Sequence, residues 1–365
     1  MIYVHVPFCR RKCNYCAFNS AVGDDSEKIS YVDALIREIN LRGNFEPVET
    51  IYFGGGTPTT LTLEQLEKIF DALTKNFHLD ERAEITIEAN PCTVDENFLR
   101  GLKTVGFNRL SIGVQSFDDA LLKIIGRLHD SRTALETVAT AEKFFDNVSI
   151  DLMYGLPTQT LEILQRDVRR VKNLGIQHVS IYGLEVEPDT KFFSDGVTVD
   201  ENISADMYEF ITETLPTFNF RRYEISNFAV KGFESRHNVG YWTGKKYFGF
   251  GAGAHGFDGK IRTSNVRDTA TYIRKIFAGE DVSEVEEIVT RQAAMEEFCF
   301  LGLRMVDGIS AKTFAKNFDA QIFDVFGSVI EKNQRLGLLA INGDKIFLTK
   351  RGMALGNEVF ADFLL

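Results

Sequence analysis

Tyr3-Val-His-Val-Pro-Phe-Cys9-Arg-Arg-Lys-Cys13-Asn-Tyr-Cys16-Ala-Phe18 puts three cysteines into one short loop directly behind a β-branched run. Their spacing is C-x3-C-x2-C, and no fourth cysteine lies nearby. A four-iron, four-sulfur (4Fe-4S) cluster normally takes four thiolates, so three leave one iron open to a further ligand. The competing reading is a structural zinc site completed by His5 or a remote cysteine. Zinc pairs are usually C-x2-C or C-x4-C with a second pair well downstream, and this chain has no such pair. Cys9, Cys13 and Cys16 are therefore the candidate metal ligands. Cys92 and Cys299 stand alone and read as small buried apolar residues.

The run before the cysteines, Ile2–Val6, is the first of six β-branched or aromatic stretches. The others are Thr50–Phe53, Glu84–Glu88, Arg109–Gln115, Val148–Tyr154 and His178–Leu184. Between them lie stretches of helical period: Tyr31–Leu41, Leu63–Asn76, Asp95–Val105, Ser131–Phe144, Thr160–Leu174 and Ala205–Leu215. Thr62, with Glu at the capping-box position, opens one helix, and Gly106 and Gly175 close two others. Alternation of strand and helix implies parallel strands joined by right-handed crossovers. Six units rather than eight predict an α/β fold, an open or partial (β/α)6 barrel over residues 1–220. Residues 221–290 are rich in Gly, Phe, Tyr and Asn, show no clear period, and are expected to be irregular. From residue 291 to 365 helical period returns and ends in two apolar runs around Asn342-Gly343, a hairpin signal. That combination predicts a small winged-helix-like domain.

The chain has 365 residues, 41 basic and 52 acidic, for a net charge of −11. That balance discourages a nucleic-acid role, which calls for a basic face. The winged-helix-like domain is thus expected to pack or to contact a protein partner. No apolar run approaches the roughly 18 residues of a membrane span, and no signal pattern precedes the cysteines. Five cysteines with three in one loop suit a reducing compartment, and a cytoplasmic location is expected. The Arg10-Arg11-Lys12 cluster reads as a solvated loop tip, or as a contact for an anionic ligand or acidic redox partner.

In a parallel barrel, chemistry collects where the strands end. Strand two ends in Gly54-Gly55-Gly56-Thr57-Pro58, strand three at Glu88-Ala-Asn90-Pro91, strand four at Gln115-Ser116. Strand five carries Asp151, and strand six offers Tyr182 and Glu185. Each feature alone has a bland explanation; together they line one rim. Glycines admit close backbone approach. A carboxylate can accept from ribose hydroxyls, a glutamine can donate and accept, and Arg127 can hold a carboxylate in a fork.

These motifs resemble the radical S-adenosylmethionine (SAM) superfamily, and within it the oxygen-independent coproporphyrinogen III oxidase-like family. The resemblance implies that Tyr3, Gly55, Gly56, Thr57, Glu88, Gln115, Arg127 and Asp151 bind SAM beside a 4Fe-4S cluster. The oxidase motif continues with a further cysteine where this chain has Phe18, and the oxidase carries an N-terminal extension. His237-Asn238-Val-Gly-Tyr241-Trp242 instead resembles the H-N-x-x-Y-W signature of the HemW haem chaperones. That implies haem contact at His237, Tyr241 and Trp242, delivery of haem to apoproteins, and an electron donor for the cluster. An imidazole can ligate iron and flanking rings can lie on a porphyrin. His255 is a second candidate ligand, while His78, His129 and His178 read as structural. The alternative function is coproporphyrinogen III oxidase itself, by radical decarboxylation of propionates. A non-catalytic binding module with a structural metal is a third reading.

Overall fold

The computed structural model describes residues 1–364. Six parallel strands carry the frame: β1 (Ile2–Val6), β2 (Pro47–Gly55), β3 (His78–Ala89), β4 (Arg109–Gln115), β5 (Val148–Tyr154) and β6 (His178–Gly183). They lie side by side in sequence order, as a run of right-handed crossovers requires. Helices Asp25–Arg42, Leu63–Asn76, Glu96–Val105, Ser131–Ala141 and Leu161–Val171 fill the crossovers. Side chains alternate along each strand. Ile51, Phe53, Ile85, Ile87, Leu110, Ile112, Ile150 and Val179 enter the apolar core under the helices. The opposite face carries Tyr3, Tyr52, Glu84, Glu88, Arg109, Ser111, Asp151 and His178, so the concave side of the sheet is polar.

Residues 221–290 are regular, contrary to the expectation from their sequence. β7 (Arg221–Arg222) and β8 (Asn227–Ala229) extend the sheet antiparallel beyond β6, and β9 (Phe248–Phe250) joins β1 in parallel. The result is a nine-stranded sheet in the order β7-β8-β6-β5-β4-β3-β2-β1-β9. β10 (His255–Phe257), β11 (Ile261–Asn265) and β12 (Ser283–Ile288) form a separate antiparallel sheet. β7 to β10 have two or three residues each, too short to display a period of two, which is why the sequence concealed them. The segment also feeds the main core through Phe228, Phe250, Ala252, Tyr272 and Ile276.

Glu38 ties this late segment to the first crossover helix. It is 1% exposed and sits among four donors. Arg42 Nη1 (2.6 Å), the Gly251 amide (2.8 Å), Asn265 Nδ2 (2.8 Å) and the Tyr272 hydroxyl (2.6 Å) all donate to it.

Helices Arg291–Gly302, Ala311–Phe318 and Ile322–Arg335 enclose a second apolar core, with β13 (Ile309–Ser310), β14 (Leu339–Asn342) and β15 (Lys345–Leu348). The hairpin β14–β15 forms as expected, with Gly343 at φ +61° in its turn. Cys299 is buried there, whereas Cys92 is only half-buried. This part meets the barrel through the Val306 amide on the Tyr223 carbonyl (3.0 Å) and the Tyr208 hydroxyl on the Met353 carbonyl (3.0 Å). No helix among the described residues is long and apolar enough to cross a membrane.

Element ends follow their caps. Asp24 accepts from the Glu27 amide and starts the first helix before Tyr31. Gln65, not a glutamate, completes the capping box with Thr62. Gly106 caps its helix at φ +123°, but Lys172 rather than Gly175 ends the helix before β6.

Glu38→Ala should cost about 3–5 kcal/mol in chemical denaturation, because it strands buried donors and an arginine. Glu136→Ala, which removes an exposed ion pair with Arg132, should cost less than about 1 kcal/mol.

Candidate functional site

The cysteine loop leaves β1 and is stitched at its base by Cys9 N–H to the Ala21 carbonyl (2.9 Å) and Ala21 N–H to the Pro7 carbonyl (2.8 Å). Its tip is pinned by Asn14. The Asn14 amide donates to Ile125 O (3.0 Å), and its side-chain nitrogen to Ile124 O (2.8 Å). Cys9, Cys13 and Cys16 line one wall of an open cavity of about 400 Å³ at the C-terminal ends of the strands. Among the described residues, no three His, Cys, Asp or Glu side chains gather tightly enough to grip a single ion. That arrangement suits a cluster, which offers a separate iron to each thiolate. Burial raises the Cys16 thiol pKa, with Cys13 and Cys9 adding to the shift.

The same cavity is lined by Gly55, Gly56, Thr57, Glu88, Gln115, Arg127 and Asp151, seven of the residues expected there, with Thr57 and Arg127 beside the thiols. Gly55 has φ +108°, and a Cβ on it would lie 2.5 Å from the His5 imidazole. A Cβ on Gly56 would lie 2.7 Å from the Phe8 carbonyl oxygen. These glycines therefore let the loop pack on the end of β1 while leaving its outer side to the cavity. Gln115 is a non-glycine residue at φ +69°. Such a conformation costs about 1–3 kcal/mol and concentrates at functional sites.

Arg127 is less free than the sequence implied. It donates to Asn90 Oδ1 and the Gly113 carbonyl, and its Nη1 reaches Cys13 Sγ at 3.6 Å. Asn90 in turn donates to Thr57 Oγ1 (2.7 Å), which lies 3.5 Å from Cys9 Sγ. The guanidinium thus joins the thiols to the strand ends. Gly113, Met153 and Glu187 also line the cavity and were not singled out, and Asn90, named only as part of a strand end, and Tyr15 join them. Gly113 stands two residues before Gln115 on the same side of β4, and that spacing could have found it.

Two carboxylates face inward. Burial pushes Glu88 up to about 7, opposed by the Tyr52 hydroxyl that donates to it at 2.7 Å. Burial pushes Asp151 up to about 6, opposed by Ser111 and Arg109.

Tyr3 is not at the cavity. It lies beneath, stacked on Tyr52 at 6.3 Å, with its hydroxyl 3.1 Å from His5 Nδ1. His237 is not offered to a ligand either. It is 1% exposed, with Nδ1 2.8 Å from Thr50 Oγ1 and Nε2 3.0 Å from the Tyr241 hydroxyl. Both ring nitrogens are used, and burial lowers its pKa to about 3. Tyr241 packs edge-on between His237 and Tyr247, and Trp242 lies under Arg304 at 4.3 Å. The expectation of haem contact at His237 is corrected on that ground: its ring is locked into the floor of the barrel, while Tyr241 and Trp242 are half-buried beside it. His255 is exposed and pairs with Glu286 at 2.9 Å. Phe18, Arg11 and Lys12 stand exposed on the cavity rim.

The Radical SAM superfamily model matches residues 3–171, and the HemN C-terminal domain model matches residues 289–355. The heme chaperone HemW of Bacillus subtilis is 39% identical, covering 99% of this chain and 98% of that protein. The heme chaperone HemW of Lactococcus lactis is 36% identical, over 100% of this chain and 97% of that protein. Coproporphyrinogen III oxidase (HemN) from Escherichia coli, a radical SAM enzyme, superposes with a TM-score of 0.88 at 24% identity. That alignment covers 99% of this chain and 89% of the oxidase.

Because Glu88 titrates near 7 in the fold and near 4.5 when unfolded, stability should fall as pH rises between those values. Glu88→Gln should therefore stabilise the cluster-free protein at pH 8, by up to about 3 kcal/mol, and leave it unchanged at pH 4.5. Thermal unfolding at the two pH values reads this directly.

Proposed function

This chain belongs to the HemW family within the radical SAM superfamily, and on that premise we propose that it is a haem chaperone carrying a 4Fe-4S cluster and SAM. The observation that carries the proposal is a cavity lined by three thiols together with two carboxylates and a glutamine. Cys9, Cys13 and Cys16 would hold the cluster, whose open iron supplies the place and the electron for SAM chemistry. Gly55, Gly56 and Thr57 lend backbone and hydroxyl groups at close approach. Glu88, Asp151 and Gln115 would orient the ribose and amino-acid portions. Ionised carboxylates also favour a sulfonium cation. Arg127, committed to Asn90, Gly113 and Cys13, would steady the thiolate side rather than clamp the ligand's carboxylate.

Haem binding and its delivery to apoproteins rest on the full-length likeness to proteins named for that role. Phe18, exposed beside the thiols, is consistent with a departure from the oxidase, whose motif has a cysteine there. No helix here resembles a membrane span, and the excess of acidic residues fits protein and small-molecule partners better than nucleic acid.

Replacing Cys9, Cys13 or Cys16 by Ala should abolish the visible absorbance of the anaerobically reconstituted protein and most of its bound iron. Cys92→Ala and Cys299→Ala should leave both at wild-type level, and a normal cluster in Cys13→Ala would refute the assignment. With SAM and reductant supplied, the loaded protein should bind haem stoichiometrically and leave coproporphyrinogen III unconverted. Detectable product by fluorescence would replace the chaperone by the oxidase.

A further inference from the structure

The H-N-x-x-Y-W run occupies helix Arg236–Trp242, inserted at the lower end of the polar lumen. Glu84 near the start of β3 accepts from the Arg236 and His237 amides, both at 3.0 Å, and so fixes where the helix begins. Thr50 of β2 holds one side of the imidazole at 2.8 Å, and Tyr241 holds the other at 3.0 Å. The imidazole lies 5.2 Å from the Tyr52 ring, 33° from parallel to it. Tyr52 is two residues above Thr50 on the same face, and its hydroxyl donates to Glu88 Oε1 at 2.7 Å. On its other side Tyr52 is stacked by Tyr3. An unbroken line of contacts therefore runs from the buried motif to the ligand-facing carboxylate.

We propose that His237 is a positioning residue for the mouth: by fixing the Tyr52 ring it aims the hydroxyl that holds Glu88, so this motif governs SAM affinity from below. The inference rests on the reading that SAM lies against Glu88. Among the described residues, the Tyr52 hydroxyl donates to Glu88 alone. If the ring tilts, the carboxylate keeps the Gly55 amide but loses the side-chain donor that fixes its orientation from below. Glu88 is faced by Tyr3 from β1, Tyr52 from β2, Arg109 from β4, Asp151 from β5 and Tyr182 from β6. Of the uncharged groups among these, Tyr52 donates a direct hydrogen bond to it.

The test uses the full chain with its cluster reconstituted, and reads SAM affinity, cluster absorbance and the Soret band of added haem on the same samples. Tyr52→Phe keeps the ring and should weaken SAM about tenfold, the scale of one lost hydrogen bond to a charged group. It should also raise the pH at which SAM binding is half lost, since a donor to Glu88 favours the ionised form. His237→Gln should weaken SAM about three- to fivefold, and the double variant no more than Tyr52→Phe alone. Cluster absorbance and haem binding should be unchanged throughout. Additive losses, or wild-type SAM affinity and pH midpoint in Tyr52→Phe, would overturn the role of His237. Loss of the Soret band with intact SAM binding in His237→Gln would overturn it in favour of direct haem contact. Loaded wild-type protein that binds no SAM would instead overturn the reading of the mouth on which the inference stands.

Discussion

A parallel sheet that is polar on its concave side and does not close on itself must have that side and both of its edges covered. The lumen holds Arg109, Ser111, Ser149, Ser180 and His178, all buried. Buried polar groups are tolerated when they are paired. His178 is satisfied by Ser149 Oγ at 2.7 Å and the Tyr223 hydroxyl at 2.8 Å. His237 is satisfied by Thr50 and Tyr241. Tyr223, His237 and Tyr241 all come from the segment after the sixth parallel strand. The same segment supplies β8 to the edge of β6 and β9 to the edge of β1. One stretch of chain thus closes the floor and both sides, and the strand ends alone remain open to a ligand.

The six parallel strands, the cysteine loop and most of the rim were legible because their signals are local. A β-branched run, a C-x3-C-x2-C spacing and a glycine triplet each declare themselves within a few residues. The floor was not legible, because His237 acquires its surroundings from Glu84 and Thr50, more than 150 residues earlier in the chain. Nothing adjacent to it in sequence separates an imidazole offered to a metal from one locked in a core. Tyr3 misled for a related reason. The family resemblance implied a place for it among the SAM residues, but β1 alternates, and its inward face at that level meets Tyr52 below the cavity. Arg127 was placed at the right wall with the wrong duty, since its acceptors are a carbonyl and an amide contributed by two other strand ends.

Charge explains why the mouth should be open and also demanding. Glu88 and Asp151 are both pushed toward neutrality by burial, while Arg109, itself 2% exposed and with Nε unpaired, pulls both back toward ionisation. Neither carboxylate reaches its ordinary pKa without help from a further positive charge. A cation placed between them would lower both at once, so ligand binding and proton release become linked. On that ground the pair favours a cationic group over a neutral one.

The same wiring couples the thiols to the strand ends. Arg127 touches Cys13 Sγ on one side and Asn90 with the Gly113 carbonyl on the other, and Asn90 reaches Thr57, which meets Cys9. Anything that shifts a thiolate must shift the residues that face the ligand, and coupling of this kind is reciprocal. The cysteine loop is already fixed at its base by Ala21 and at its tip by the chain around Ile125, so its order does not depend on a ligand in the cavity. The guanidinium is shared between the Cys13 sulfur and the carboxylate of Asp151, whose ionisation it favours, so a change of charge at the thiols changes what Arg127 can do for Asp151.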